Sequence, residues 1–176
     1  MDILRAPWRM AYIDSSNKID NEDKKDKSSE NKGCIFCDYA ALDKDKENLI
    51  LARGNVSYVI MNKYPYSVGH LLIAPYRHTA SLVSLSEEEK LEIFTFSQKS
   101  VSILQKIMNA DGFNIGMNLG RVAGAGIDTH LHLHVVPRWN GDINFMSVTA
   151  ETKVLPEALD VTYRKISYER NTWSAS

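Results

Sequence analysis

The chain has 176 residues, with 21 Lys and Arg against 22 Asp and Glu and a net charge of -1. That is one domain's worth of chain, able to bury a sizeable core, and its balanced charge gives no overall electrostatic trap for nucleic acid. No apolar stretch is long enough to span a bilayer, and Met1-Asp2-Ile3-Leu4-Arg5 lacks the basic and apolar regions of a signal peptide, so a cytoplasmic protein with no membrane or nucleic-acid partner is expected.

Residues 3–13 are aromatic and apolar and are expected to pack as an arm. Asp14 to Gly33 carries one apolar residue, Ile19, and cannot bury enough surface to order itself. This divides the chain into an N-terminal arm and charged loop (1–33) and a domain with a C-terminal extension (34–176). Cys34 and Cys37 are the only cysteines, too few for a disulfide scaffold. Their C-x-x-C spacing suits a metal half-site or a redox pair.

A short helix is expected over Tyr39–Lys46. Leu49–Arg53 and Val56–Met61 read as strands joined by a Gly54-Asn55 turn, and His70–Pro75 as a third strand after a loop containing Pro65. Ser86-Glu87-Glu88-Glu89 forms a capping box, and Ile93, Phe94, Val101, Leu104 and Met108 continue at helical spacing to about Asn109. Phe113–Leu119 is a fourth strand and His130–Pro137 a fifth, with a glycine-rich loop from Gly120 to Thr129 between them. A final helix is expected over Glu157–Glu169. Hairpin-spaced strands with one long helix predict an α+β fold built on an antiparallel sheet.

In a strand, alternate residues share a face. The run His130-Leu131-His132-Leu133-His134 would then line three of the five histidines along one surface and turn both leucines inward. Such a row suits metal binding by neutral imidazoles, phosphate binding by imidazolium groups, or a nucleophilic imidazole with neighbours that manage charge and protons.

The pattern His-x-His-x-His followed by Val135-Val136 resembles the histidine triad superfamily. Three further segments strengthen the likeness. Met61-Asn62 with Pro65 and Gly69-His70 is similar to the family's nucleoside-binding hairpin. Asn118-Leu119-Gly120 with Ala123-Gly124 is similar to its phosphate loop. Val136 to Met146, together with Ala6-Pro7-Trp8-Arg9-Met10, resembles its bacterial diadenosine tetraphosphate phosphorylase branch. The superfamily resemblance covers roughly residues 34–146.

The resemblance implies an antiparallel sheet of about five strands with one long helix, and a nucleotidyl transferase or hydrolase acting on diadenosine polyphosphates. His132 would be the nucleophile and form a nucleotidyl-histidine, its second ring nitrogen held by the backbone carbonyl of His130. His134 would contact the α-phosphate. Asn62 would meet the ribose, with a turn-forming role as its structural alternative. His70 would stand near the chemistry, or serve as a structural histidine. Asn118, Gly124 and Gly126 would offer phosphate contacts, mostly main-chain, because Gly124-Ala125-Gly126-Ile127 lacks the polar Gln or Ser of many members. The resemblance also implies a structural zinc held by Cys34, Cys37, His78 and His130, no organic cofactor, and a homodimer. A nucleotide is the expected substrate, with inorganic phosphate or water as the second reactant. Trp8 and Trp139 are expected to pack in the core, with shaping of the substrate mouth as the alternative role.

Three other readings compete. A nucleoside phosphoramidate or adenylyl-sulfate hydrolase would use the same histidine. A non-catalytic nucleotide-binding module would not need the intact triad. A hydrolase using three histidines as zinc ligands lacks a carboxylate base beside them other than Asp128.

Overall fold

The computed structural model describes residues 33–142, 155–169 and 172–173. The chain divides into two units, Met1–Glu30 with Gly141–Val154 and Asn31–Asn140 with Leu155–Ser176. The described residues other than Gly141 and Asp142 belong to the second. The expected N-terminal arm, Trp8, the charged loop up to residue 32 and the segment 143–146 lie outside the described residues.

Five strands, β1 (Ile50–Arg53), β2 (Ser57–Met61), β3 (Leu71–Pro75), β4 (Gly112–Met117) and β5 (Leu133–Arg138), form one antiparallel sheet in the order β1-β2-β3-β5-β4. Among the described residues the α-helices are α1 (Ile35–Ala41), α2 (Glu87–Met108) and α3 (Leu159–Ser167). The architecture is the α+β sheet with one long helix that the sequence predicts.

Every residue of β2 and β3 is buried, because both faces of the sheet are covered. Val59, Met61, Leu71, Ile73, Leu133 and Val135 face the side packed by Ile93, Phe96, Ile103 and Leu104 of α2 and Ile166 of α3. Tyr58, Ile60, Leu72 and Ala74 face the other side, which Phe36 of α1 covers. The period-2 alternation of the strands sorts these two sets.

The long helix starts as its sequence signals. The Ser86 hydroxyl accepts from the Glu89 N–H (3.1 Å) and the Glu89 carboxylate accepts from the Ser86 N–H (2.8 Å), a reciprocal cap whose Ser contributes about 1 kcal/mol. Arg77 donates to the same carboxylate through Nε (2.9 Å) and Nη2 (2.7 Å). The helix ends at Asn109 in the left-handed region (φ 49°), a conformation asparagine tolerates. Trp139 Nε1 donates to the carbonyls of Met108 and Asn109, both at 3.1 Å. Trp139 therefore clasps a helix end and is only part-buried there, instead of packing wholly in the core as expected.

Two boundaries differ from expectation. The first helix spans Ile35–Ala41, not Tyr39–Lys46. Phe36, 2% exposed, gives it an apolar anchor, whereas Asp43-Lys44-Asp45-Lys46 has no face to bury and is not helical. The fifth strand begins at Leu133, not His130. Its ladder to β3 stops at the pair Ile73–Leu133. Pro75 has no N–H to continue it, and the Pro75 carbonyl accepts from the ring Nε2 of His130 instead (2.9 Å).

Candidate functional site

The triad is laid out by this strand boundary. Leu131 and Leu133 enter the α2-side core as expected. His134 lies beside Leu72 in the ladder, and cross-strand partners point to the same face, so His134 emerges on the α1 side of the sheet. The rings of His132 and His134 are 4.9 Å apart. His130, against the same Phe36 ring as His132, stands before the strand, 1% exposed, with its ring turned toward the cysteines.

His132 has one defined tautomer. Its Nδ1 lies 2.8 Å from the His130 carbonyl, which can only accept, so Nδ1 carries the proton and Nε2 carries the lone pair. Burial lowers its pKa from the ordinary value, against the raising effect of that hydrogen bond. A neutral imidazole with its free nitrogen fixed in direction can act as a nucleophile.

A second chain of hydrogen bonds fixes His134. The Tyr66 N–H donates to His70 Nδ1 at 3.0 Å, and Asn62 Nδ2 lies 3.2 Å from the same nitrogen. His70 Nδ1 is thus an acceptor, and Nε2 is left to donate to His134 Nδ1 at 2.9 Å. With both rings neutral, the remaining proton of His134 sits on Nε2. The Tyr66 ring stacks on His134 at 5.8 Å and lies 4.7 Å from His70. His70 is fully buried. The Asn62 Oδ1 accepts from the Tyr64 N–H (2.9 Å), so this side chain does serve the turn. Gly69, at φ 76°, delivers the chain into β3 where a Cβ would lie 2.9 Å from the Met108 sulfur.

Cys34, Cys37, His78 and His130 converge, their ligand atoms all within 4.8 Å of one another. Cys34 Sγ lies 3.3 Å from His130 Nδ1, and Cys37 Sγ lies 3.4 Å from His78 Nδ1 and 3.5 Å from His130 Nδ1. Thiolate and imidazole ligands at their usual distances from a tetrahedral zinc would be about 3.5 Å apart. His130 donates from Nε2 to Pro75, which leaves Nδ1 as the lone-pair nitrogen facing the sulfurs. Burial drives its pKa down to about 4, and the neutral ring is the ligating form. Burial and the neighbouring Cys34 push the Cys37 thiol up to about 11. A Cys37 thiolate at neutral pH therefore needs a cation beside it. The cluster can hold a metal ion.

The glycine loop is held by its own contacts. Asn118 Nδ2 donates to the Gly124 carbonyl (3.3 Å), bracing the loop, and Gly124 sits at φ 90°. Gly126 is exposed. Arg121 pairs with Asp128 at 3.4 Å. Gly116 lies opposite His134 in the ladder, and nothing stands within 4 Å of where its Cβ would be.

Sequence reasoning did not single out Phe36 or Tyr66. Phe36 touches the rings of both His130 (5.2 Å) and His132 (4.8 Å). Its position between two candidate metal ligands, and that of Tyr66 four residues before His70, were the available signals.

Residues 43–141 match the family model described as HIT domain. The chain is 38% identical over 167 residues to an AP-4-A phosphorylase of Mycobacterium tuberculosis, covering 94% of this chain and 83% of that protein. It is 30% identical over 95 residues to the asymmetrical bis(5'-nucleosyl)-tetraphosphatase of Schizosaccharomyces pombe, covering 54% and 52% of the two chains. A Zn-bound histidine triad family protein from Mycobacterium smegmatis superposes with a TM-score of 0.63 at 25% identity, over 79% of this chain and 94% of that one. With a triad set on a five-stranded α+β sheet and a family match over more than half its length, this chain belongs to the HIT family.

Proposed function

We propose that this protein cleaves diadenosine polyphosphates through a nucleotidyl-histidine on His132, with diadenosine tetraphosphate phosphorolysed to ADP and ATP. The observation that carries this is the 2.8 Å bond from His132 Nδ1 to the His130 carbonyl, which commits Nε2 to attack. The 38% identity to a mycobacterial AP-4-A phosphorylase over 94% of the chain supports the substrate class.

In the first step Nε2 forms a bond to the α-phosphorus, and the bond from that phosphorus to the bridging oxygen breaks, releasing ATP. The Nδ1 proton stays on the ring, and the His130 carbonyl stabilises the positive charge that develops there. His134 presents its Nε2 proton to the α-phosphate. In the second step an oxygen of inorganic phosphate attacks the same phosphorus, the phosphorus–nitrogen bond breaks, and ADP leaves with His132 restored. Water in place of phosphate would give AMP. The loop of Asn118, Gly124 and Gly126 supplies main-chain contacts to the phosphates, and Asn62 faces the ribose.

Zinc at Cys34, Cys37, His78 and His130 completes the reading. It supplies a cross-link and no part of the group transfer. Reduced cysteines used as ligands fit a cytoplasmic setting. Among the described residues β4 pairs with β5 alone, leaving Asn114, Ile115 and Gly116 exposed on the sheet's edge strand. This edge, with α2, supports a homodimer.

The test is product analysis with diadenosine tetraphosphate, with and without inorganic phosphate. ADP and ATP formed only with phosphate is expected. AMP and ATP regardless of phosphate would make the protein a hydrolase on the same intermediate. His132→Ala should lower turnover by roughly 10⁴-fold or more, and full activity in that variant would refute the mechanism.

A further inference from the structure

The nucleophile's ring has a second constraint besides its hydrogen bond. Phe36, 2% exposed, lies 4.8 Å from the His132 ring at an interplanar angle of 32°, and 5.2 Å from the His130 ring. A single hydrogen bond to Nδ1 fixes which nitrogen faces the carbonyl. It leaves the ring free to rock about that axis, and rocking swings Nε2. An aromatic face packed on the imidazole removes that freedom.

The placement of Phe36 is itself over-determined. A seven-residue helix with no side-chain cap at Cys34 has little stability of its own. Four contacts from elsewhere hold it. The hydroxyl of Tyr58, fully buried on β2, donates to the Phe36 carbonyl at 2.7 Å. Arg53 of β1 donates to the carbonyls of Ala40 (2.7 Å) and Leu42 (2.8 Å) at the helix end. Cys34 and Cys37, flanking the turn that carries Phe36, belong to the Cys–His cluster. Burial of one aromatic side chain needs no such bracing. Control of its position does.

We propose that Phe36 is a positioning residue for His132, holding the imidazole in the orientation set by the His130 carbonyl so that Nε2 is aimed along the line of attack. The proposal rests on His132 being the nucleophile. It adds a task for α1 and links the cysteine cluster to the reacting ring through Phe36. Phe36 sits between the cluster's two sulfurs in sequence and against the reacting ring in space.

Phe36→Leu removes the aromatic face and keeps the site apolar, and Tyr58→Phe releases the Phe36 carbonyl without touching either imidazole. Each variant, as the full chain with its bound metal quantified, is compared with wild type in two ways. The exchange rate of the His132 Nδ1 proton is read from spectra of protein labelled with ¹⁵N-histidine, and kcat and KM are measured with diadenosine tetraphosphate. Phe36→Leu is expected to retain metal, to exchange that proton at least about tenfold faster, and to lose about tenfold to a hundredfold in kcat with KM nearly unchanged. Tyr58→Phe should move both quantities in the same direction by less. Unchanged proton exchange in both variants overturns the proposal. So does a rise in KM with kcat intact, which would make Phe36 a wall of the substrate pocket. Wild-type protein inactive on every diadenosine polyphosphate would defeat the functional reading, while the exchange rates would still decide the positioning role.

Discussion

The carbonyl of His130 accepts the Nδ1 proton of His132 at 2.8 Å while the ring of His130 faces the sulfurs of Cys34 and Cys37. One residue therefore serves two places at once, its main chain the His132 ring and its side chain the Cys–His cluster. Cys37→Ser should disturb both. The cluster ties residue 34 to residue 130, and a clip that closes a long loop stabilises as a covalent cross-link does. Losing about 3 kcal/mol in this way would lower Tm by roughly 6–12 °C. Metal analysis and thermal melts check this. A variant with no bound metal, wild-type Tm and wild-type kcat would contradict the structural role.

His70 donates to His134 and is itself fixed by the Tyr66 N–H. His70→Ala leaves the orientation of His134 undetermined, and kcat is expected to fall by about 10- to 100-fold, the range for losing a partner that orients a reacting group. Steady-state kinetics at matched folded fraction would measure it. An unchanged kcat would return His70 to a purely structural role.

Gly116 faces His134 across the ladder with open space where a Cβ would be. Gly116→Val is expected to leave Tm unchanged or raised, because valine favours strands and meets nothing. It should raise KM for the dinucleotide, since its methyl groups would stand beside His134, the residue proposed to contact the α-phosphate. Wild-type KM in a stable Gly116→Val protein would show that the substrate does not pass this position.

Glu92 caps the β1–β2 turn. Its carboxylate accepts from the N–H groups of Asn55 (2.7 Å) and Val56 (2.9 Å) and from the Ser57 hydroxyl (2.6 Å). Burial raises its pKa, but the Ser57 hydroxyl and these N–H groups outweigh that and hold it below the ordinary value. A carboxylate with the lower pKa in the folded state stabilises fully above its unfolded value, about 4.3. That contribution is lost as pH falls through the folded pKa. Glu92→Ala should cost about 1.5–3 kcal/mol at neutral pH, with the gap to wild type closing in acid. Melts at pH 7 and pH 3 would settle it, and an equal gap at both would remove the charge from the account.

Much of this fold was legible because its signals are local. Ser86 and Glu89 announce the start of α2 by their spacing, and Gly54-Asn55 marks the hairpin. Leu131 and Leu133 show by alternation which side of the chain enters the core. What escaped depends on distant partners. The strand start at Leu133 is decided by Pro75, 55 residues from the His130 ring it engages. The contact of Phe36 with His132 depends on Tyr58 and Arg53 bracing α1, which no spacing within Cys34–Cys37 encodes. Cys34 and Cys37 pair by spacing, but His78 and His130 join them only through family likeness, since Cys34 and His130 are 96 residues apart.

All five histidines of the chain stand in one continuous array, from His78 beside His130, across Phe36 to His132, and on through His134 to His70. A spectrum of the histidine rings therefore draws every signal from this array, with no contribution from the rest of the chain.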